Sequence, residues 1–168
     1  ERISCGLAHQ VICVSESLRR LALDENLVDR DRIDVLASGS SNGVDAEGRF
    51  NPARLDEDVR LQVRDEFSIG EEALVVGFVG RLVRDKGVVE LADAWNAVSR
   101  RFEHAHLLVV GPFEARDAVP DETVRILEES PRVHLPGFCD NIVEMYAAMD
   151  VVAFPSHREG FPNVPLEA

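Results

Sequence analysis

Two carboxylates near the end of the chain, Glu159 and Glu167, bracket the run EGFPNVPLE. Glu159 sits in a glycine-containing loop and Glu167 in what reads as the first turns of a helix. Acids so placed can accept bonds from the hydroxyls of a sugar or ribose held near a helix N-terminus. Glu159 could also stabilise positive charge developing at an anomeric carbon. Amides near Gly160, Phe161 and Asn163 offer donors to a hydroxyl or phosphate. In the plainer alternative, Glu159 caps a helix from a solvent-facing loop and Glu167 lies on a charged helix face. Two carboxylates alone do not make a hydrolase, which also needs a general acid and a placed water.

A second group, GRLVRDKG (80–87), follows the apolar run LVVGFV. Arg81 presents a rigid fork of donors and Lys86 a mobile point charge, a pair suited to a diphosphate whose charge grows as its bond to a sugar breaks. Gly80 lets the chain turn close to a ligand, and Gly87 admits a close start to the next helix. The competing reading is a solvated loop with Arg84–Asp85 and Lys86–Glu90 surface pairs, worth little each. GFVGRL has the wrong spacing for a dinucleotide fingerprint, and Lys86-Gly87 reverses the order of a phosphate loop. Other chemistry is sparse. The five histidines form no zinc pattern, and the serines lack a nucleophile elbow. His157 and Arg158 adjoin Glu159 as possible ligand contacts or as plain surface, and Cys5, Cys13 and Cys139 read as buried small residues.

The elements that must carry these groups alternate. The opening ERISCGLAHQ reads as the end of a helix, followed by a strand at Val11–Ser15, a helix over Glu16–Glu25 capped by Ser15 or Ser17, and a strand at Ile33–Ala37. A turn is expected at Asn42-Gly43, then a polar connection over Val44–Pro52 and a helix through Leu61–Phe67. From Ala73 the rhythm is α/β: strand LVVGFVG, helix Gly87–Phe102, strand HLLVVG, helix Glu122–Glu129, strand VHLPG, helix Ile142–Met149 capped by Asp140 and Asn141, and a buried strand within DVVAFP. Trp95, Leu91 and Val98 share helical spacing and belong to a core. Strands apolar on both faces imply a parallel, Rossmann-like sheet covered by helices, with ligands at its carboxyl edge.

GRLVRDKG followed by EGFPNVPLEA, with VICVSES and NGVD (42–45) in the same order ahead of them, resembles the second half of a retaining glycosyltransferase of family GT4, with the GT-B fold. The resemblance implies an incomplete GT-B C-terminal domain preceded by the tail of the N-terminal domain. The expected division is 1–37 for that tail, 38–69 for a crossover and lead-in helix, and 70–168 for a partial nucleotide-sugar-binding domain. The chain is expected to be cut at both ends, inactive alone and prone to self-association through exposed edges.

By the same resemblance, Arg81 and Lys86 hold the donor diphosphate, Glu167 the ribose, and Glu159 with the backbone of Gly160 and Phe161 the sugar. The base packs near Leu135, Pro136 or Phe138. Glu159, Arg81 and Lys86 are then the catalytic set. The donor is a nucleotide-diphosphate sugar, no metal is required and no cofactor is permanently bound. The acceptor is a glycan, lipid or small molecule. The parent acts in the cytoplasm, with the inner membrane face as an alternative place. A GT-B-like epimerase or phosphorylase and a non-catalytic interaction module are the rival functions.

With 168 residues and 45% apolar content, the chain can form a sizeable core. A formal charge of −13 disfavours binding to nucleic acid or an anionic surface, while leaving small anions open where local cations outweigh the mean field. The odd, sparse cysteines suit a reducing compartment.

Overall fold

The computed structural model describes residues 1–40, 43–56 and 58–168, which fall into two compact units. Ser41 and Asn42, and with them the turn expected at Asn42-Gly43, lie outside the described residues.

The first unit comprises Glu1–Val44 with Glu159–Asn163. It contains α1 (Arg2–Leu7), β1 (Val11–Cys13), α2 (Glu16–Asp24) and β2 (Ile33–Val35), the two strands pairing in parallel. Of the two candidate caps, Ser15 occupies the N-cap of α2: its Oγ accepts the Leu18 N–H at 3.3 Å. Both strands stop two residues before the expected ends. Ser15 leaves β1 to cap α2, and Ala37 has a positive φ of 49° that no strand accommodates.

The second unit comprises Asp45–Arg158 with Val164–Ala168. Its elements are α3 (Val59–Glu66), β3 (Leu74–Val79), α4 (Val88–Arg101), β4 (Ala105–Val110), α5 (Asp121–Glu129), β5 (Val133–Gly137), α6 (Ile142–Ala148), β6 (Val151–Val152) and α7 (Val164–Glu167). The four strands form a parallel sheet in the order β5-β4-β3-β6. Period-two alternation with a core on each face explains why β3, and β4 from Leu107 onward, are apolar. Phe78, Leu107 and Val109 face a core with Leu91 and Trp95 of α4 and Leu127 of α5. Val75, Leu108 and Val110 face a second core with Val63 of α3 and Met145 and Ala148 of α6. The chain winds one way from β3 to β5 and then returns past β3 to β6. Right-handed crossovers therefore put α4 and α5 on one face and α6 on the other.

Three expectations need correction. The strand within DVVAFP is two residues long and, among the described residues, pairs with β3 alone at the sheet edge, so Val151 is 55% exposed rather than buried. Asn141 holds the N-cap position of α6 without a capping bond; its amide donates instead to Glu144 Oε2 at 2.7 Å. Cys5, Cys13 and Cys139 are half-buried rather than buried.

An ion cluster with one buried member, Arg64, fastens α3 to the start of the edge strand. Arg64, 1% exposed, donates to the carbonyls of Ala148, Glu71 and Ala73 at 2.6–3.1 Å and to Asp150 Oδ2 at 2.9 Å. Asp150 also accepts from the Val75 N–H at 2.7 Å and from Arg60. Burial pushes the Asp150 carboxyl up, yet the Val75 amide and the two guanidiniums outweigh it and leave the pKa below its ordinary value.

Candidate nucleotide-sugar site

Three strands end on glycines with positive φ: Gly80 after β3 at 152°, Gly111 after β4 at 139° and Gly137 at the end of β5 at 77°. The Gly80 N–H donates to the Val110 carbonyl at 2.9 Å and the Gly111 N–H to the Gly137 carbonyl at 2.8 Å, drawing the three loops together. The approach is close enough that a Cβ on Gly111 would stand 1.9 Å from the Gly80 carbonyl oxygen. Without side chains in the way, a cavity of about 460 Å³ opens above the strand ends. Its lining includes Gly80, Arg81, Gly111, Phe138, Asp140 and Arg49.

Arg81 reaches this cavity from the first residue after Gly80, and its Nη1 donates to Glu114 Oε2 at 3.0 Å. Phe138 is 74% exposed, an aromatic face left to the cavity. Leu135 instead packs, partly buried, against the core that contains Trp95 and Leu107, and is not part of the lining. Lys86 closes a 3-10 turn, Arg84–Lys86, that runs directly into Gly87. Gly87 has a φ of 71°, and a Cβ there would lie 2.2 Å from the Pro155 carbonyl oxygen, so only glycine lets α4 begin that close to the loop after β6.

The two sequence groups meet up to Arg158. Asp85 of the first group accepts from the His157 N–H at 2.9 Å through its carbonyl and from Arg158 Nη2 at 2.8 Å through its carboxylate. His157 Nε2 also bonds Glu90 Oε1 at 2.9 Å. Thus Asp85 and Glu90 take partners from the loop after β6.

Glu167 lies in a separate cavity of about 130 Å³ with Phe50, Val143 and Tyr146. Helix α6 contributes to both, with Ile142 lining the larger and Val143 and Tyr146 the smaller. The Tyr146 hydroxyl donates to Glu167 Oε2 at 3.0 Å. Burial first, and then the charge and hydrogen bond of Glu167, raise the tyrosine pKa well above its ordinary value, so this proton stays on the phenol.

Gly160 and Phe161 belong with the first unit. A Cβ on Gly160 would meet Val14 Cγ2 at 3.0 Å and Leu18 Cδ1 at 3.2 Å, and Ser40 Oγ donates to Asn163 Oδ1 at 3.3 Å. Gly160 therefore has a packing reason to be glycine. Glu159 starts this same segment.

Sequence reasoning missed Arg49 and Gly111. Arg49 is delivered by a turn that Asp45 organises: the Asp45 carboxylate accepts the N–H of Gly48 at 2.9 Å and of Arg49 at 3.0 Å. Those amides hold the Asp45 pKa below its usual value. Arg49 then donates to the Asp140 carbonyl at 3.3 Å and sits 5.5 Å from the Phe50 ring centroid. The NGVD motif was the available signal. Among the described residues, no group of three or more His, Cys, Asp or Glu side chains is placed to hold a metal ion.

Parallel strands, helices on both faces and a glycine-lined cavity above the strand ends define a Rossmann-like domain of the GT-B kind. The profile of the family described as glycosyl transferases group 1 matches residues 73–168, and the chain belongs to that family. It is 34% identical to the capsular polysaccharide biosynthesis glycosyltransferase CapM of Staphylococcus aureus, over 100% of this chain and 43% of that protein. It is 29% identical to a Campylobacter jejuni N,N'-diacetylbacillosaminyl-diphospho-undecaprenol alpha-1,3-N-acetylgalactosaminyltransferase, over 99% of this chain and 41% of that one. The crystal structure of Anabaena HepE in complex with UDP and glucose superposes with a TM-score of 0.76 at 23% identity, covering 99% of this chain and 44% of HepE, a likeness of fold. The chain thus spans about two fifths of the length of the curated relatives it matches.

Proposed function

We propose that the parent of this chain is a retaining glycosyltransferase that moves a sugar from a nucleotide-diphosphate donor to a glycan or lipid-linked acceptor. The observation that carries this reading is Arg81 at the lip of a glycine-lined cavity above the ends of β3 and β4. In it the donor diphosphate lies over Gly80 and Gly111, where no side chain obstructs it, with Arg81 and Lys86 neutralising its oxygens. Arg81 exchanges its bond to Glu114 for bonds to phosphate. Arg49 supplies a further guanidinium and Phe138 a face for the base. Tyr146 fixes Glu167 through one oxygen, leaving the other to accept from ribose hydroxyls.

Chemistry then follows from charge. As the glycosidic bond to the diphosphate lengthens, negative charge collects on the leaving oxygen and positive charge on the anomeric carbon. Arg81 and Lys86 stabilise the first, and Glu159, with the backbone of Gly160 and Phe161 on the sugar, the second. The acceptor hydroxyl attacks from the face the diphosphate leaves. Its proton passes to the departing phosphate oxygen, configuration is retained and no step draws on a metal. Capsule synthesis and the undecaprenol-linked substrate named for two relatives support a glycan or lipid acceptor, and with it the cytoplasm or the inner membrane face as the place of reaction. No described helix is long and apolar enough to cross a membrane.

Incubating the full-length parent with a panel of labelled sugar nucleotides and a cell-derived lipid and glycan extract tests the reading. Label transferred to an acceptor with the donor's anomeric configuration is expected. Conversion of donor to an epimer, phosphate-dependent release of sugar phosphate, or no turnover of any donor contradicts it.

A further inference from the structure

Arg81 borders a second cavity as well, of about 280 Å³, lined by Val83, Asp85, Arg116, Asp117 and Arg158. Three guanidiniums meet two carboxylates there, in a chain whose overall formal charge is −13. Both carboxylates are engaged: Asp117 Oδ2 accepts the Asp85 N–H at 2.8 Å, and Asp85 Oδ2 accepts Arg158 Nη2 at 2.8 Å. Arg116 is exposed, and its guanidinium has no bonding partner among the described residues.

The loop that carries Arg116 is fastened along its length. Residues Leu82 and Phe113 form a parallel bridge, and Val83 and Ala118 an antiparallel one. The Leu82 N–H donates to the Pro112 carbonyl at 2.8 Å, the Arg84 N–H to the Asp117 carbonyl at 3.1 Å and Arg84 Nε to the Ala118 carbonyl at 2.7 Å. Asp117 takes a left-handed φ of 63°, a conformation its short side chain tolerates and the bond to the Asp85 amide holds. Arg116 is thus presented beside Arg81 and Arg158 by a braced hairpin-like pair of loops.

We propose that this cavity binds a phosphate group carried by the acceptor. The planar forks of Arg116 and Arg158 suit a tetrahedral oxyanion, and an incoming phosphate would take Arg158 from Asp85 while satisfying Arg116. The volume accommodates part of the esterified alcohol beside the phosphate, which a site for a bare ion does not need. Arg81 borders both cavities, so donor diphosphate on one side and acceptor phosphate on the other share one cation. Arg158 directly precedes Glu159, the residue assigned to the transferred sugar. The word acceptor rests on the proposed glycosyltransferase function; the anion site rests on the arginines.

The test is calorimetric titration of the full-length parent at low ionic strength with glycerol 3-phosphate and, separately, inorganic phosphate, each with and without saturating nucleoside diphosphate. Saturable binding is expected, with the ester held at least as tightly as the inorganic ion. Arg116→Ala and Arg158→Ala should each weaken it about tenfold, as loss of a charge-assisted bond implies, while changing nucleotide affinity less than about twofold. Arg116→Lys should recover part of the loss. No saturable phosphate binding, or binding indifferent to both substitutions, overturns the site. Inorganic phosphate bound about tenfold more tightly than the ester overturns its assignment to the acceptor. Failure of the nucleotide to bind, with the phosphate result intact, would count against the glycosyltransferase reading alone.

Discussion

Single residues decide this site by what they omit as much as by what they present. Gly111 has a Cβ position 1.9 Å from a carbonyl oxygen and a φ of 139°, so Gly111→Ala should both strain the loop and force it away from Gly80. A loss of about 2–4 kcal/mol in denaturant unfolding is expected. A stability equal to wild type would show that the loops are not pressed together. Tyr146 acts through Glu167. Tyr146→Phe removes the bond that orients the carboxylate, and should raise the donor KM several-fold with kcat nearly unchanged. A fall in kcat at constant KM would contradict a positioning role. The residues proposed to hold the donor, Arg81, Lys86, Glu159 and Glu167, are ones that local residue order marks. Gly111 and Arg49 are not, because their roles come from neighbours 31 and 91 positions away in the chain, Gly80 and Asp140, which no local period records.

Elements were legible where one physical signal dominated. Helices α2, α4 and α5 carry a single apolar stripe, and β3 and the Leu107–Val110 part of β4 are apolar runs between turns, so expectation and structure differ there by at most one residue at each end. The two-residue β6 was over-read because an apolar run cannot say whether it lies in the middle of a sheet or at its edge. Nothing in the local order singles out Arg64, yet it and Asp150 tie α3 to the edge strand. Asp150→Ala leaves a guanidinium at 1% exposure with its carbonyl acceptors but without its carboxylate, and should cost about 1–3 kcal/mol in urea unfolding. A change under 1 kcal/mol would mean the carbonyls alone satisfy Arg64.

Strands β4 and β5 carry a further pairing that sequence did not show. His106 Nδ1 and His134 Nε2 lie 2.9 Å apart with their rings stacked at 11°, and Phe67 lies against His134. Burial first, then Arg132 and Arg64, lowers the His106 pKa below 6.5; burial and His106 lower that of His134. The unfolded chain therefore takes up these protons first. Their contribution is complete above the unfolded pKa of about 6.5 and declines as pH falls towards the lower folded values. Unfolding midpoints should drop between pH 8 and pH 5, and drop less in His106→Gln. Equal slopes for the two proteins would remove the pair from the account.

For the molecule as a whole, an acidic chain concentrates guanidiniums where the strand ends open. A net charge of −13 makes Arg81, Arg49, Arg116 and Arg158 local exceptions, and the two proposed anion sites rest on that contrast. The parallel α/β architecture was readable from composition and rhythm. Which charged residues share one site came as an expectation of the family resemblance, because spacing along a chain does not fix proximity across a fold. The most direct measurement is calorimetric titration of nucleoside diphosphates and their sugars into the full-length parent, its Arg81→Ala variant and its Lys86→Ala variant. Saturable binding of at least one nucleotide, weakened about tenfold to a hundredfold by each substitution, is the predicted result. Affinity unchanged in both variants would contradict the central claim that these cations hold the donor's diphosphate.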